Sequence, residues 1–276
     1  MKNRLVVPVL FILLIPALLW AAPEADLWER WQAHDPGSRL SVDHGPWTAF
    51  LETYLVRGED GINRVDYRGV APEDRTRLDA YLEALSGTEV DRLSRASQLP
   101  FWVNLYNALT VQVILDHFPV DSIREIDISP GFFSNGPWGK KLMEVEGEEV
   151  SLNDVEHRIL RPIWQDPRIH YAVNCAALGC PNLQPRAFTP ENAEALLEKG
   201  ASDYVNHPRG VFFREGELVV SSIYDWYQAD FGGSEAGVID HLMEHARPGL
   251  RERLQDFREI DDYRYDWSLN QAGGER

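Results

Sequence analysis

The chain has 276 residues, of which 44% are hydrophobic and 11% aromatic, and its formal net charge at pH 7 is −17. This length fits one large domain or two small ones, and the apolar content allows a sizeable core. The charge excludes a protein that works mainly by neutralising nucleic-acid phosphates, which requires a basic surface. The densest basic cluster holds only Arg158 and Arg161, and we expect no nucleic-acid partner.

Residues 1–22 have the pattern of a secretory signal peptide. Lys2 and Arg4 form a basic start, an apolar run containing Pro8 and Pro16 follows, and small residues end the segment. The run is short for a membrane span. We expect cleavage, which would change the net charge from −17 to −19, and a periplasmic or secreted protein without stable membrane insertion. An uncleaved tether is the alternative.

The remaining chain predicts a short helix and linker at 23–45, a single domain at 46–270 and a polar tail at 271–276. Within the domain the patterns predict, in chain order, a helix at 46–58, a strand at 62–70, helices at 71–87 and 100–117, a hairpin at 142–152, a helix at 152–161, a strand at 169–174, a helix at 190–206, a hairpin at 211–222 and two or three closing helices. Strands and helices do not alternate regularly. The predicted class is therefore α+β, with helices packed around a small, mostly antiparallel sheet.

The helix predicted at 100–117 is apolar on nearly all sides, which is typical of a helix buried in the interior. Asn104 and Asn107 lie three residues apart on one side of it. Buried amides must be paired, and two arrangements are open. The amides could fix the backbone of a nearby loop, or one of them could face a cleft and orient a histidine or a bound amide.

The segment "VSLNDVEHRILR" contains two possible capping boxes, one from Ser151 to Asp154 and one from Asn153 to Glu156. Either explains the polar residues at the start of the helix, but neither explains His157. This histidine is a candidate general base because imidazole titrates near neutral pH. The alternative is a histidine that is simply satisfied at an interface.

The two cysteines of the chain, Cys175 and Cys180, lie in "RIHYAVNCAALGCP". If 169–174 is a strand, His170 and Cys175 point to opposite faces, and His157 becomes the leading candidate base unless the chain bends. A structural disulfide fits an exported protein, a reactive thiol fits a cysteine at a turn, and inert burial is a third possibility. The C-x₄-C spacing is not typical of zinc sites. We expect no metal and no other cofactor.

Five blocks together resemble the bacterial family known as domain of unknown function 547, over about 46–270. They are "FWVNLYNALTV", "SLNDVEHRILRP", "DPRIHYAVNCAALGCPNL", "IYDWYQADFG" and "YDWSLN". The chain has Val103 and Val155 where the family usually has isoleucine, and an alanine where its cysteine loop usually has serine. The resemblance implies a distant relative of the papain and transglutaminase type of cysteine hydrolase. It would place Cys175, a histidine and an acid or amide at a cleft.

Our first functional hypothesis is a thiol-dependent amide or peptide hydrolase or acyltransferase. In it the Cys175 thiolate attacks an acyl carbon, and His157 or His170 moves the proton. Glu156 or Asn104 orients the imidazole, and backbone amides of the 175–180 turn hold the oxyanion.

The alternative hypothesis is a non-catalytic module for a small peptide or a thiol ligand such as glutathione, with Cys175 and Cys180 bridged. An open Cys175 that forms a mixed disulfide with its ligand would be an intermediate case. In either hypothesis the substrate or ligand would contact these residues: Trp102, Tyr106, Asn107, Trp138, Asn174, Cys180, Tyr224 and Trp226.

Overall fold

The computed structural model describes residues 23–131 and 136–273. The predicted signal peptide and the last three residues of the predicted polar tail lie outside the described residues. Within the described part of the chain, no helix combines the length and apolar character needed to cross a membrane.

Helices provide most of the regular structure. The α-helices are α1 (Gly45–Tyr54), α2 (Pro72–Ser86), α3 (Arg95–His117), α4 (Arg161–Trp164), α5 (Ala193–Val205), α6 (Ile223–Trp226), α7 (Glu235–His245) and α8 (Pro248–Leu254). A π-helix, Asp154–Leu160, runs directly into α4. Short 3₁₀ turns lie at Glu29–Gln32, Tyr67–Gly69, Val90–Arg92, Ile123–Glu125 and Pro167–Tyr171.

The strands form three small sheets instead of the single sheet that we predicted. They are β1 (Leu55–Arg57), β2 (Asn63–Val65), β3 (Met143–Val145), β4 (Glu148–Val150), β5 (Val211–Arg214), β6 (Glu217–Ser221) and β7 (Asp262–Arg264). β1 pairs with β2, β3 with β4 and β5 with β6, all antiparallel, and β7 joins β6 in parallel. Helices mixed with small sheets confirm the α+β class.

Helix α3 is the buried helix that the sequence predicts. Every residue from Phe101 to Val111 is buried. The helix begins at Arg95, five residues before the predicted start, because Ser94 caps it by accepting a hydrogen bond from the backbone N–H of Ser97. Pro100 is accommodated inside the helix.

Two hydrophobic clusters form the core. The larger one surrounds α3 and includes Trp102 and the π-helix residue Val155, whereas the smaller one joins α5 to α7 and the β5–β6 hairpin. Trp267 packs at the margin of the larger cluster and Trp226 at the margin of the smaller one. The centroids of these two rings lie 5.5 Å apart. The candidate site lies where these margins meet.

The segment 262–271 connects three distant parts of the chain. It pairs with β6 as β7, bridges the cysteine loop at Ala177 through Leu269, and bridges β2 at Val65 through Gln271. The segment therefore brings "YDWSLN" and the residues around it against elements that lie far earlier in the sequence.

The structure corrects several predicted elements. The strand at 169–174 is wrong: Pro167–Tyr171 is a 3₁₀ turn, because Asp166 accepts from the N–H of Arg168 and Pro167 fits the first helical position. The helix at 46–58 ends at Tyr54, and only 63–65 of the strand predicted at 62–70 is a strand. The expected leading helix is the single 3₁₀ turn Glu29–Gln32.

Candidate functional site

A cavity of about 640 Å³ opens beside the cysteine loop. Most of the predicted site residues line it: Tyr106, Trp138, Glu156, His157, His170, Cys175, Cys180 and Trp226. Further residues of the wall are Arg124, Tyr227, Tyr265 and Trp267, to which the sequence reasoning gave no role. Side chains from α3, the π-helix, the cysteine loop, α6 and the segment after β7 therefore meet at one site.

None of the three asparagines predicted at the site lines the cavity. Asn104, Asn107 and Asn174 instead fix loops. Asn104 donates to the carbonyl of Phe188 (2.8 Å) and accepts from its N–H (2.9 Å), so its amide holds a loop and not an imidazole. Asn107 donates to the carbonyl of Ala172 (2.9 Å) and accepts from the N–H of Asn174 (2.8 Å). The structure thus has the loop-fixing arrangement for both amides of α3.

Two of the predicted aromatic residues lie in the core. Trp102 is fully buried and packs edge-on against Trp31, with ring centroids 4.9 Å apart. Tyr224 is also fully buried, and its hydroxyl lies 3.2 Å from that of Tyr171. Neither ring lines the cavity, so ligand contact at this site involves the other predicted rings.

Cys175 and Cys180 form a disulfide, with Cα atoms 6.3 Å apart. The bridge confirms the disulfide alternative for these residues and leaves no free cysteine. The two sulfurs differ in environment: Cys175 is half-buried, whereas Cys180 is only 4% exposed. Cys180 Sγ accepts a hydrogen bond from the N–H of Cys175 (2.9 Å), and the Tyr265 hydroxyl lies 3.1 Å from each sulfur.

The cysteine loop is held from both sides. Asn174 accepts from the N–H of Ala176 (2.9 Å) and donates to the carbonyl of Pro181 (2.8 Å), so one side chain ties both ends of the loop. Ala176 adopts a left-handed backbone conformation with φ of 59°. Gly179 lies against the backbone of Asp266 and donates to its carbonyl (2.8 Å). A Cβ at this glycine would come within 2.8 Å of the Asp266 nitrogen.

His170 is oriented by an acid. Its Nε2 lies 2.7 Å from Asp230 Oδ2, and its ring stacks on Tyr227 with centroids 4.1 Å apart. Burial alone would raise the pKa of Asp230, but hydrogen bonds from His170 and Arg161 hold this pKa well below its usual range. Because the ionised carboxylate can only accept, Nε2 carries a proton. Nδ1 is buried and has no hydrogen-bond partner among the described residues.

His157 is held differently, by a cation. Arg161 binds Asp230 through Nε (2.6 Å) and places a second guanidinium nitrogen 3.1 Å from His157 Nδ1. Since a guanidinium can only donate, Nδ1 of His157 is the acceptor and the ring is neutral. Burial, the largest cause, lowers the pKa of His157, in agreement with this geometry. The atom that a general base needs is therefore already engaged.

Glu156 brings a buried carboxylate to the same wall. It is 6% exposed, and its Oε1 lies 3.8 Å from His170 Nδ1, beyond hydrogen-bonding distance. Burial raises the pKa of Tyr106 and of Tyr227, and the Glu156 carboxylate raises both further. Both hydroxyls therefore stay protonated at neutral pH beside an acceptor.

No hydrogen bond joins Cys175 to a histidine among the described residues. Cys175 Sγ contacts the Tyr265 hydroxyl and is bonded to Cys180, whereas His170 faces Asp230 and Glu156. The Cys–His pair of the first functional hypothesis is thus not assembled here, although its members line one cavity.

Four aromatic rings form a continuous part of the wall. Tyr265 lies 4.7 Å from Trp267 and 4.9 Å from Trp226, measured between centroids, and Trp138 meets Trp267 edge-on at 5.7 Å. The Arg124 guanidinium lies over the Trp267 ring at 5.3 Å. This aromatic wall, Trp138, Trp226, Tyr265 and Trp267, gives a ligand a large apolar surface beside the disulfide.

The sequence carried only weak signals for the missed residues. Asp230 and Tyr265 both lie in blocks that resemble the family: Asp230 lies in "IYDWYQADFG", and Tyr265 is the first residue of "YDWSLN". An acid beside buried aromatic residues was the available clue for Asp230. Its partner His170 is 60 positions away, so their contact was not predictable from local spacing.

Comparison with known proteins gave one match. No curated protein and no solved structure matched the chain, so the implied likeness to papain and transglutaminases has no support from them. The match to a family model covers residues 90–205, which contain α3, the π-helix, the cysteine loop and α5. Asp230 and Tyr265 lie beyond these residues. Residues 90–205 match the model of the family described as "Protein of unknown function, DUF547", which supports the resemblance to that family.

Proposed function

We propose that the cavity binds a small thiol-containing peptide, such as glutathione, and that the Cys175–Cys180 disulfide exchanges with the thiol of this ligand. The observation that carries the proposal is a disulfide in the wall of a ligand-sized cavity, with Cys175 half-buried and Cys180 almost fully buried. Ligand pockets have volumes of about 300–1,000 Å³, and this cavity falls within that range.

The environments of the two sulfurs favour one direction of exchange. The ligand thiol first releases its proton to solvent, and its thiolate attacks the more accessible Cys175 Sγ. A bond forms between the ligand sulfur and Cys175 while the Cys175–Cys180 bond breaks, and its electron pair leaves on Cys180 as a thiolate. The N–H of Cys175 and the Tyr265 hydroxyl are in place to stabilise this leaving thiolate.

Charge and shape support a zwitterionic peptide as the ligand. The aromatic wall offers apolar surface next to the disulfide. Glu156 supplies a carboxylate for a ligand ammonium group. The guanidinium of Arg124, which also makes contacts within the protein, adds a positive charge to the same wall. We also propose a periplasmic or secreted location, since disulfides persist in oxidising compartments.

The second candidate is the thiol-dependent hydrolase or acyltransferase of our first hypothesis. The Asp230–His170 pair favours it, because an acid-oriented imidazole with a free nitrogen is a common general-base arrangement. The disulfide and the contacts of Asn104 place it second. It would require reduction of the bridge and movement of Cys175 towards His170.

Reaction with reduced glutathione tests the proposed function. The oxidised protein is incubated with glutathione, quenched with an alkylating reagent and analysed by intact mass and peptide mapping. We expect one glutathionyl group on Cys175 and one alkyl group on Cys180. In Cys180→Ala, the remaining thiol should react with oxidised glutathione at least about tenfold faster than the thiol of Cys175→Ala, because Cys180 is buried.

Two results would contradict the proposal. One is a native bridge that does not exchange although the unfolded protein is readily reduced. The other is a glutathionyl group found on Cys180, which would reverse the assignment of attacked and leaving sulfurs. Hydrolysis of amide substrates only by the reduced protein, with loss in both Cys175→Ala and Asp230→Asn, would favour the second candidate.

A further inference from the structure

We propose that His241, Glu244 and His245 on helix α7 form a binding site for a divalent transition metal ion, with zinc as the best fit. One possible ligand atom from each residue lies within 4.8 Å of the others. Two imidazoles and a carboxylate are ligands that suit zinc. The site shares no residue with the disulfide cavity.

The spacing along α7 accounts for this cluster. Residues at i, i+3 and i+4 lie on the same face of a helix, and α7 runs without interruption from Glu235 to His245. The rings of His241 and His245 meet at an interplanar angle of 62° with centroids 4.9 Å apart. A regular helix therefore positions all three side chains without help from a flexible loop.

The hydrogen bonds of the two imidazoles leave one nitrogen of each for the metal. His241 Nε2 lies 2.8 Å from the Tyr171 hydroxyl, and His245 Nδ1 lies 3.3 Å from Glu198 Oε1. Metal-binding histidines usually engage their second nitrogen in this way, which fixes the tautomer and the ring orientation. His241 Nδ1 and His245 Nε2 are thus the proposed ligand atoms.

The surroundings favour a cation. The three residues line a surface depression of about 490 Å³, together with Asp166 and Arg168. Arg168 pairs with Asp166 at 2.8 Å, and acids of α5 also bind its guanidinium. Arg168 is the only cation among the residues that line the depression, and the acids paired with it more than compensate its charge before Glu244 is counted.

Binding requires only a small rearrangement. Zinc ligands lie about 2 Å from the metal, so the ligand atoms of one site are at most about 4 Å apart. Glu244 is exposed, so its side chain can rotate towards the two imidazoles. Three protein ligands would leave a fourth position on zinc for a water molecule or a group that enters the depression.

Zinc titration of the purified protein, without a histidine tag and after treatment with a chelator, tests this site. We expect one Zn²⁺ per chain by calorimetry and a rise in Tm with added zinc. His245→Ala and Glu244→Gln should each weaken binding at least about tenfold. Both residues are partly or fully exposed, so these variants should fold even if His241 variants do not. His34→Ala, which removes an exposed histidine elsewhere, is the matched control and should bind as wild type does.

The proposal is overturned if the wild-type protein takes up no stoichiometric zinc. It is equally overturned if His245→Ala and Glu244→Gln bind zinc with wild-type affinity, which would place the metal elsewhere. Loss of binding in both variants, with the His34→Ala control unchanged, supports it.

Discussion

Tyr265 places a single hydroxyl 3.1 Å from both sulfurs of the bridge. Burial raises the pKa of this phenol well above its usual value, so the hydroxyl keeps its proton at neutral pH and can donate it to a developing thiolate. A donor in this position can stabilise Cys180 as the leaving thiolate when the less buried Cys175 is attacked.

We predict that Tyr265→Phe slows exchange with glutathione by about five- to tenfold, the effect of losing one hydrogen bond of roughly 1–1.5 kcal/mol to the leaving thiolate. The rate is measured by quenched intact mass over a pH series. Tyr263→Phe is the matched control, because this neighbouring hydroxyl lies 3.4 Å from Glu235 and outside the cavity. Equal rates for Tyr265→Phe and wild type would remove Tyr265 from the proposed step.

Individual residue types predicted part of the site. The histidines, the cysteines and Glu156 could be found because few residue types perform acid–base or thiol chemistry. Their pairing could not be found, since Asp230 reaches His170 across 60 positions and Tyr265 reaches Cys175 across 90. The orientation of His157 could not be predicted either, because it depends on the guanidinium of Arg161. Arg161 is not a candidate base and was therefore not considered.

The cysteine loop and the segment after β7 are the two elements whose fit determines the shape of the site. Leu178 and Gly179 donate to the carbonyls of Ser268 and Asp266, both at 2.8 Å. The close approach at Gly179 leaves no room for a methyl group, since the nearest backbone atoms would be 2.8 and 2.9 Å away.

Gly179→Ala should therefore separate these two elements and destabilise the protein by about 1–3 kcal/mol, as overpacking generally does. Urea unfolding gives the free energy, and the glutathione assay shows whether the site changes as well. Gly249→Ala in α8 is the control, because its added methyl meets no atom within 4 Å and alanine favours a helix. A Gly179→Ala protein as stable as wild type would contradict the close fit.

Elements with strong local signals were predicted best. Helix α2 and the hairpins β3–β4 and β5–β6 follow their periodicity and turn residues. The strand predicted at 169–174 is wrong because Asp166 and Pro167 start a helical turn. The alternation of apolar residues after Pro167 favoured a strand and outweighed this capping signal in the prediction. The π-helix and the parallel partner of β6 depend on tertiary packing, which a short stretch of sequence does not encode.

At the scale of the whole molecule, buried neutral histidines couple folding to pH. Burial lowers the pKa of His44 to about 4, despite the nearby Asp43, and the Tyr81 hydroxyl lies 2.7 Å from its Nδ1. The unfolded chain takes up this proton near pH 6.5, whereas the folded protein resists it until about pH 4. The stabilising contribution is thus fully present above pH 6.5 and is lost as the pH falls towards 4.

We predict that wild-type stability falls between pH 6.5 and 4, with His44 contributing about 3 kcal/mol of the change. His44→Gln keeps a polar partner for Tyr81 but does not titrate, so its free energy of unfolding should fall less steeply over the same range. Urea unfolding at several pH values measures both curves. Parallel curves would show that His44 does not contribute to this pH dependence.

The α+β class could be predicted because helical and strand patterns are mixed without alternation. The cavity could not, because its wall draws on residues from Pro23 to Trp267 and lies where the two hydrophobic clusters meet. The segment 262–271 makes that meeting possible by joining β6, the cysteine loop and β2.

The route of this segment has a consequence for biosynthesis. A ribosome adds Tyr265 90 residues after Cys175, so both cysteines are synthesised well before the segment that packs against them is complete. In the periplasmic or secreted location that we propose, the two thiols can therefore be oxidised before Tyr265 lies beside them. The order of synthesis thus allows the disulfide to form before the wall that contains Tyr265 is built around it.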